Sequence, residues 1–137
     1  MIRPELQIID GRAMTTSVAI AKFFERSHKN VLQAIESIRT YISEAFDRLN
    51  FQPTSYTDQS NRTQPCYHLT RNGFAMIALG FTGEKAIKFR EAYVTRFDEM
   101  ESRLRRQQYK QQLLTSLQID ERLQVVLGNA RSEMTLS

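Results

Sequence analysis

The chain has 137 residues, 41% hydrophobic and 25% charged, which suits one packed domain with an appendage and argues against wholesale disorder. A net charge of +4 favours an anionic partner, and a single cysteine, Cys66, excludes an intrachain disulfide and fits a reducing compartment. No window approaches the ~18–20 apolar residues of a membrane span, and the opening MIRPELQIID is too short and polar for a secretory signal, so a soluble cytoplasmic protein is expected.

Residues Leu6 to Asp10 alternate weakly, and Ala13 to Thr15 resume the pattern after Asp10-Gly11, a strong two-residue hairpin signal. A small hairpin is expected, its second strand running straight into a helix. From Thr16 to Ile42 the sequence reads as two short helices around a polar corner. The first, Ser17 to Phe24, has Thr16 as N-cap and carries Val18, Ile20, Ala21, Phe23 and Phe24. The second is capped by Ser27 and repeats Val31, Ala34, Ile35, Ile38 and Ile42 at helical spacing. Glu25-Arg26-Ser27 between them is too short for a strand, so the two helices cross steeply, as in a helix-turn-helix.

With Val31, Ile35, Ile38 and Ile42 inward, Arg26, Asn30, Gln33 and Ser37 turn outward along one i, i+4, i+7 row, with Lys29 and Thr40 beside it. Amides next to cations are the groups that read base edges in a major groove, where Asn or Gln pairs with adenine and cations engage guanine or phosphate. The alternative is an ordinary solvated helix face. Counted over this segment, Lys22, Arg26, Lys29 and Arg39 stand against Glu25 and Glu36, a margin of +2 that leans towards DNA.

Residues 43 to 51, SEAFDRLNF, suggest a short helix returning Ala45, Phe46, Leu49 and Phe51 to the core. From Gln52 to Leu69, Pro53, Pro65 and the β-formers Thr54, Tyr56, Thr57 and Tyr67 surround a polar centre, Asp58 to Arg62. Two strands around an exposed loop, just after a helix-turn-helix, occupy the place of a wing. Arg62 at the tip, with Asn61 and Gln64 nearby, is a candidate backbone contact. Tyr56 at the base fits a core position better than a stacking role.

Thr70 caps a further helix, Arg71 to Leu79, whose apolar content is too high for a surface helix and marks it as central. After Gly80-Phe81-Thr82-Gly83 a pattern free of Gly and Pro runs from Glu84 to Leu127, with Ile87, Phe89, Tyr93, Phe97, Met100 and Leu104 as its apolar edge. Beyond Leu104 the 4-3 spacing lands on Gln107, Gln111, Leu114 and Gln118, a poor coiled-coil seam. Arg103, Arg105, Arg106 and Lys110 form a run without acid. Leu113, Leu114, Leu117 and Ile119 then precede a capped piece from Asp120 to Leu127, stopped at Gly128, and a frayed end, SEMTLS. These apolar residues cannot cover one another on one helix, so a homodimer is expected. The division expected is 1–104 as the folded domain and 105–137 as basic linker and helical tail.

In that order the chain resembles the phage Rha regulatory-protein family of temperate phages and prophages. The resemblance is carried by TTSVAIAKFFERSHKNVLQAIESI, by Tyr56-Thr57-Asp58, by Tyr67-His68-Leu69-Thr70-Arg71-Asn72-Gly73-Phe74 and by Gly80-Phe81-Thr82-Gly83, and it spans roughly residues 6 to 104. It implies a transcriptional regulator with a DNA-binding N-terminal domain, working in the cytoplasm of a bacterial host. Some members continue into an antirepressor-type module, and from the resemblance none is expected in the short tail here. A His-Lys-Asn triplet like His28-Lys29-Asn30 recurs in the family, and the resemblance implies a DNA role for it, His28 touching phosphate at the helix start.

No catalytic constellation stands out. Cys66 and His68 lie two apart on one side of a strand, but a nucleophile pair needs an orienting partner, and two histidines with one cysteine are too few for structural zinc. The chain is therefore expected to be no enzyme and to need no metal or cofactor. The fold expected is α+β, a winged helix-turn-helix-like domain with a C-terminal helical extension. The expected partner is double-stranded DNA, contacted by Arg26, His28, Lys29, Asn30, Gln33, Ser37 and Arg62. The alternative is an antirepressor-type protein that grips a phage or host regulatory protein through its C-terminal helices.

Overall fold

The computed structural model describes residues 3–135, with side chains to residue 128. The protein is α+β, an antiparallel sheet with five helices among the described residues. By its internal contacts the chain divides into two compact units, Met1–Glu101 and Ser102–Ser137.

The first unit opens with β1 (Gln7–Ile9) and β2 (Arg12–Thr16), joined by Asp10-Gly11. Both turn residues have positive φ, 51° and 75°, as a type I′ hairpin turn requires. β2 passes directly into α1 (Ser17–Phe23), whose N-cap Thr16 accepts from the Ala19 N–H at 3.0 Å. α1 ends in a Schellman turn, in which the Arg26 N–H donates to the Ala21 carbonyl and the Glu25 N–H to that of Lys22. Glu25 occupies the left-handed position, φ 57°, which is uncommon for a residue with a Cβ. Ser27 then caps α2 (His28–Tyr41) through the Asn30 N–H at 3.1 Å. Arg26 therefore lies in the corner before the cap, not on α2, and does not share a helical row with Asn30, Gln33 and Ser37 as expected. Val31 and Ile35 are fully buried, with Ile38 and Ile42 half-buried beside them.

Ser43 caps α3 (Glu44–Asn50), which leads into β3 (Phe51–Thr57) and, across the loop 58–62, β4 (Thr63–Thr70). Of the apolar residues expected to return here, Phe51 is buried, Phe46 half-buried, and Ala45 and Leu49 point to solvent. The sheet order is β1-β2-β4-β3, with β2 pairing only the 68–70 end of β4. The two prolines of the β3–β4 hairpin sit where no ladder bond is lost, Pro53 on the edge strand and Pro65 beyond the part of β4 that pairs with β2.

Thr70 ends β4 and caps α4 (Arg71–Ala78) through the Gly73 N–H at 3.3 Å. α4 buries one face, Gly73, Phe74, Ile77 and Ala78, while Leu79 just past it is 70% exposed and Met76 also reaches solvent, so it is not enclosed all round as its composition suggested. α5 (Glu84–Thr135) supplies the rest of this core from Ala86, Tyr93, Phe97 and Met100. Ile87 was expected inward but is 57% exposed. Counting back four and seven from Tyr93 gives Phe89 and Ala86, so Ile87 falls outside the stripe. Tyr93 stacks on Phe74 with ring centres 4.4 Å apart, and Phe23, Phe24, Phe81, Phe89 and Phe97 complete the aromatic cluster. Its hydroxyl meets Thr15 Oγ1 at 3.2 Å, and burial pushes the phenol up to about 12.

In the second unit α5 continues through Gly128 without a new cap at Asp120, which lies mid-helix, so the separate capped piece ending at Gly128 does not form. The end SEMTLS, expected to fray, is helical as far as Thr135, and the last two residues lie outside the described ones.

One hydroxyl connects three elements of the first unit. Ser17 Oγ, fully buried, accepts from the Tyr67 N–H of β4 at 3.0 Å and lies 2.9 Å from His28 Nε2. Having accepted from Tyr67, the hydroxyl has its hydrogen available for Nε2, which suits a neutral imidazole protonated on Nδ1. Nδ1 is 3.5 Å from the Tyr56 hydroxyl of β3, and the two rings meet edge to face. Burial holds the His28 pKa below its usual value.

Two outcomes follow from this packing. A Cβ at residue 73 would stand 2.5 Å from the Asn50 carbonyl oxygen, which is backbone and cannot swing away. Gly73→Ala should cost about 1–3 kcal/mol in urea unfolding, and an unchanged midpoint would contradict the close approach. Because folded His28 resists a proton that the unfolded chain accepts, its contribution is complete above pH 6.5 and is lost as pH falls below it. The wild-type midpoint should drop more between pH 7.5 and 5.5 than that of His28→Gln, whereas parallel drops would detach the effect from His28.

Candidate functional site

The solvent side of α2 is formed by Lys29, Asn30, Gln33, Glu36, Ser37 and Thr40. At 100° per residue, Val31 and Ile35 on the opposite side fix this face by their burial. The side chains of Lys29, Asn30, Gln33 and Ser37 are exposed, and none has a hydrogen bond or ion pair among the described residues. Glu36 shares the face as its acidic member. A carboxylate there repels phosphate but can accept from a cytosine N4 amine.

The loop between β3 and β4 is fixed by one carboxylate. Asp58 Oδ1 accepts from the Ser60 and Arg62 N–H groups, both at 2.9 Å, and Gln64 Nε2 donates to its Oδ2 at 3.3 Å. Asn61 takes φ 62°, and a backbone bond from Asp58 N–H to the Arg62 carbonyl closes the loop. Arg62 thus projects from an ordered tip with its guanidinium unpaired among the described residues.

Between this tip and the α1–α2 corner lies an open cleft of about 440 Å³, lined by Val18, Ala21, Lys22, Arg26, His28, Tyr56 and the 57–60 backbone and side chains. It brings Arg26 and His28 together with the hairpin. Arg26 is exposed at its edge with its guanidinium over the Phe81 ring, 4.7 Å from the centre. His28 does not project as a free phosphate ligand, since both ring nitrogens face Ser17 and Tyr56. Its place is to hold the hairpin against the start of α2. Tyr56, read as a core residue, is half-buried in the same contact.

Other charges of the segment are engaged elsewhere. Arg39 forms a two-pronged pair with Asp47 at 2.6 and 3.0 Å and donates to the Tyr67 hydroxyl at 2.8 Å, all of which hold its guanidinium firmly protonated. Its charge belongs to the α2–α3 junction. Glu25 is matched by Lys85. The surface cations left beside the cleft and the α2 face are Lys22, Arg26, Lys29 and Arg62. Sequence reasoning could not assign these pairings, because Asp47 and Lys85 come close to their partners only in the folded chain.

Burial pushes the Cys66 thiol up and keeps it protonated, which leaves it a poor nucleophile. Among the described residues no three His, Cys, Asp or Glu side chains converge as a metal site, and no helix is long and apolar enough to cross a membrane.

The sequence matches known proteins. The profile of the phage regulatory protein Rha family covers residues 15–102. An uncharacterized protein of Haemophilus influenzae is 37% identical over 100 residues, 72% of this chain and 57% of its own length. An uncharacterized 22.8 kDa protein from the gp15-gp3 intergenic region of Salmonella phage P22 is 32% identical over 71% of this chain and 49% of its own. A Bacillus subtilis protein, YoqD, described as an SPbeta prophage-derived antirepressor candidate, is 31% identical over 70% and 39%. The chain thus spans about half the length of the curated relatives it matches, and no solved structure matches it. With the profile covering well over half of its residues, the chain belongs to the phage regulatory protein Rha family.

Proposed function

We propose that the chain is a phage or prophage transcriptional regulator that binds double-stranded DNA as a winged helix-turn-helix. In this reading α2 enters the major groove, and the β3–β4 hairpin is the wing on the flanking backbone. The observation that carries it is the α2 face. Asn30, Gln33 and Ser37 stand exposed and unpartnered beside Lys29, on a helix whose inner side is locked by Val31 and Ile35. Gln33 and Asn30 read base edges, Ser37 adds a short polar contact, and Lys29, Arg26 and Arg62 engage phosphates. His28 acts indirectly, by fixing the wing relative to α2. Membership of a phage regulatory family supports a regulatory role.

The protein acts in this reading as a homodimer joined through its second unit, where Leu113, Leu114, Leu117, Leu123 and Leu127 are all exposed. A second reading draws on the same residues: they grip a phage or host regulatory protein instead, in line with the antirepressor description of the B. subtilis relative. Salt separates the two. Phosphate contacts weaken with a log-log slope near −0.9 per neutralised phosphate, whereas an apolar helix contact hardly responds.

Gln33→Ala should relax base preference at a cost of ~1–3 kcal/mol on operator DNA and little on random DNA, while Lys29→Ala should weaken both alike. Fluorescence anisotropy on the two DNAs reads the difference. Equal losses for Gln33→Ala on both would remove the base-reading role.

A further inference from the structure

The cleft between the hairpin tip and the α1–α2 corner is lined by two cations and one acid, Lys22, Arg26 and Asp58, which with neutral His28 gives 2 − 1 = +1. The acid is occupied by its own loop. Its two oxygens accept from the Ser60 and Arg62 N–H groups and from the Gln64 amide. The cations have no such partner. Neither Lys22 nor Arg26 has an ion pair among the described residues. The Arg26 guanidinium lies over the Phe81 ring, a contact that steadies it and leaves its N–H groups for an acceptor.

A third donor follows from the buried hydrogen-bond chain. The Tyr67 N–H donates to Ser17 Oγ, and the Ser17 hydroxyl hydrogen then serves His28 Nε2. The imidazole hydrogen is therefore on Nδ1, facing the Tyr56 oxygen at 3.5 Å, the long limit of such a bond. With an N–H directed at its oxygen, Tyr56 turns its own hydrogen away from His28, and no acceptor for it stands among the described residues. Tyr56 itself lines the cleft. A hydroxyl lacking an acceptor beside two cations lacking a counter-ion is the donor set that an oxyanion satisfies.

We propose that the cleft seats one phosphate of the DNA backbone, held by Lys22, Arg26 and the Tyr56 O–H. The proposal rests on the DNA-binding reading above and adds Lys22 and Tyr56 to its contacts. The cleft lies between the corner before α2 and the hairpin, so a strand passing from one to the other crosses it. Such a contact fixes the register of the protein on the duplex and carries no sequence information.

Fluorescence anisotropy of the full chain on a random-sequence DNA duplex, over a series of salt concentrations, tests the seat. Lys22 and Arg26 are exposed, and Tyr56→Phe keeps the ring edge to face with His28, so the variants retain the packing of the unit. Lys22→Gln combined with Arg26→Gln should lower the log-log salt slope by about 0.9, the share of one phosphate. An unchanged slope would overturn the seat while DNA binding stands, and a drop of about 1.8 would put the two cations on separate phosphates and overturn it as a shared site. Tyr56→Phe removes no charge, so it should weaken binding roughly tenfold at an unchanged slope, and by much less once both cations are gone. Equal losses in the two backgrounds would reduce the hydroxyl to hairpin packing and overturn its contact with phosphate. A wild-type chain that binds no DNA even at low salt would remove the DNA-binding reading itself, and the seat with it.

Discussion

The buried hydroxyl of Ser17 is the point on which the geometry of the first unit depends. It is the first residue of α1, it accepts the Tyr67 N–H of β4, and it faces the imidazole that begins α2. That imidazole in turn meets Tyr56 on β3. A residue without the hydroxyl would leave a buried N–H and a ring nitrogen without their partner, a loss larger than the modest net value of a made hydrogen bond. Through these contacts the angle between α2 and the hairpin is set by polar groups with fixed directions, where apolar packing alone would leave it adjustable. In the function proposed above, with α2 in a groove and the hairpin on the flanking backbone, this fixed angle is what would keep the two in register.

Charge pairing then decides which side chains remain for a partner. The Arg39 guanidinium is spent on Asp47 and Tyr67, tying the end of α2 to α3 and β4, and Arg71 is held by Asp98 and Glu101 between α4 and α5. Both are among the most engaged cations of the unit, and both stabilise it. Lys22, Arg26, Lys29 and Arg62 are left on the surface around the cleft and the α2 face. With Arg39 and Glu25 both paired, Lys22, Arg26 and Lys29 stand against Glu36, the same margin of +2, and Arg62 adds one more at the hairpin tip.

The parts legible in the sequence are those governed by neighbours within four residues. Thr16, Ser27 and Thr70 are caps because a short side-chain oxygen reaches an N–H three residues on, and Asp10-Gly11 is a turn because its backbone tolerates positive φ. Arg26 falls off the α2 row because the Schellman turn before Ser27 resets the direction of the chain. Ile87 is the more hydrophobic of two neighbours, yet it is the smaller Ala86 that lies on the stripe fixed by Tyr93. For the site, the exposed face of α2 and the position of Arg62 at the hairpin tip follow from local pattern. The engagement of His28 with residues 11 and 28 positions away, and of Arg39 with Tyr67, depends on tertiary contact, and no local spacing carries it.

The most direct test of the central claim is to immobilise the protein, offer it sheared phage and host genomic DNA at two salt concentrations, and sequence what it retains. A sequence-specific regulator should return a shared motif that persists at the higher salt. Recovery of unrelated fragments that vanish at the higher salt, or of none at either, would contradict sequence-specific reading by α2.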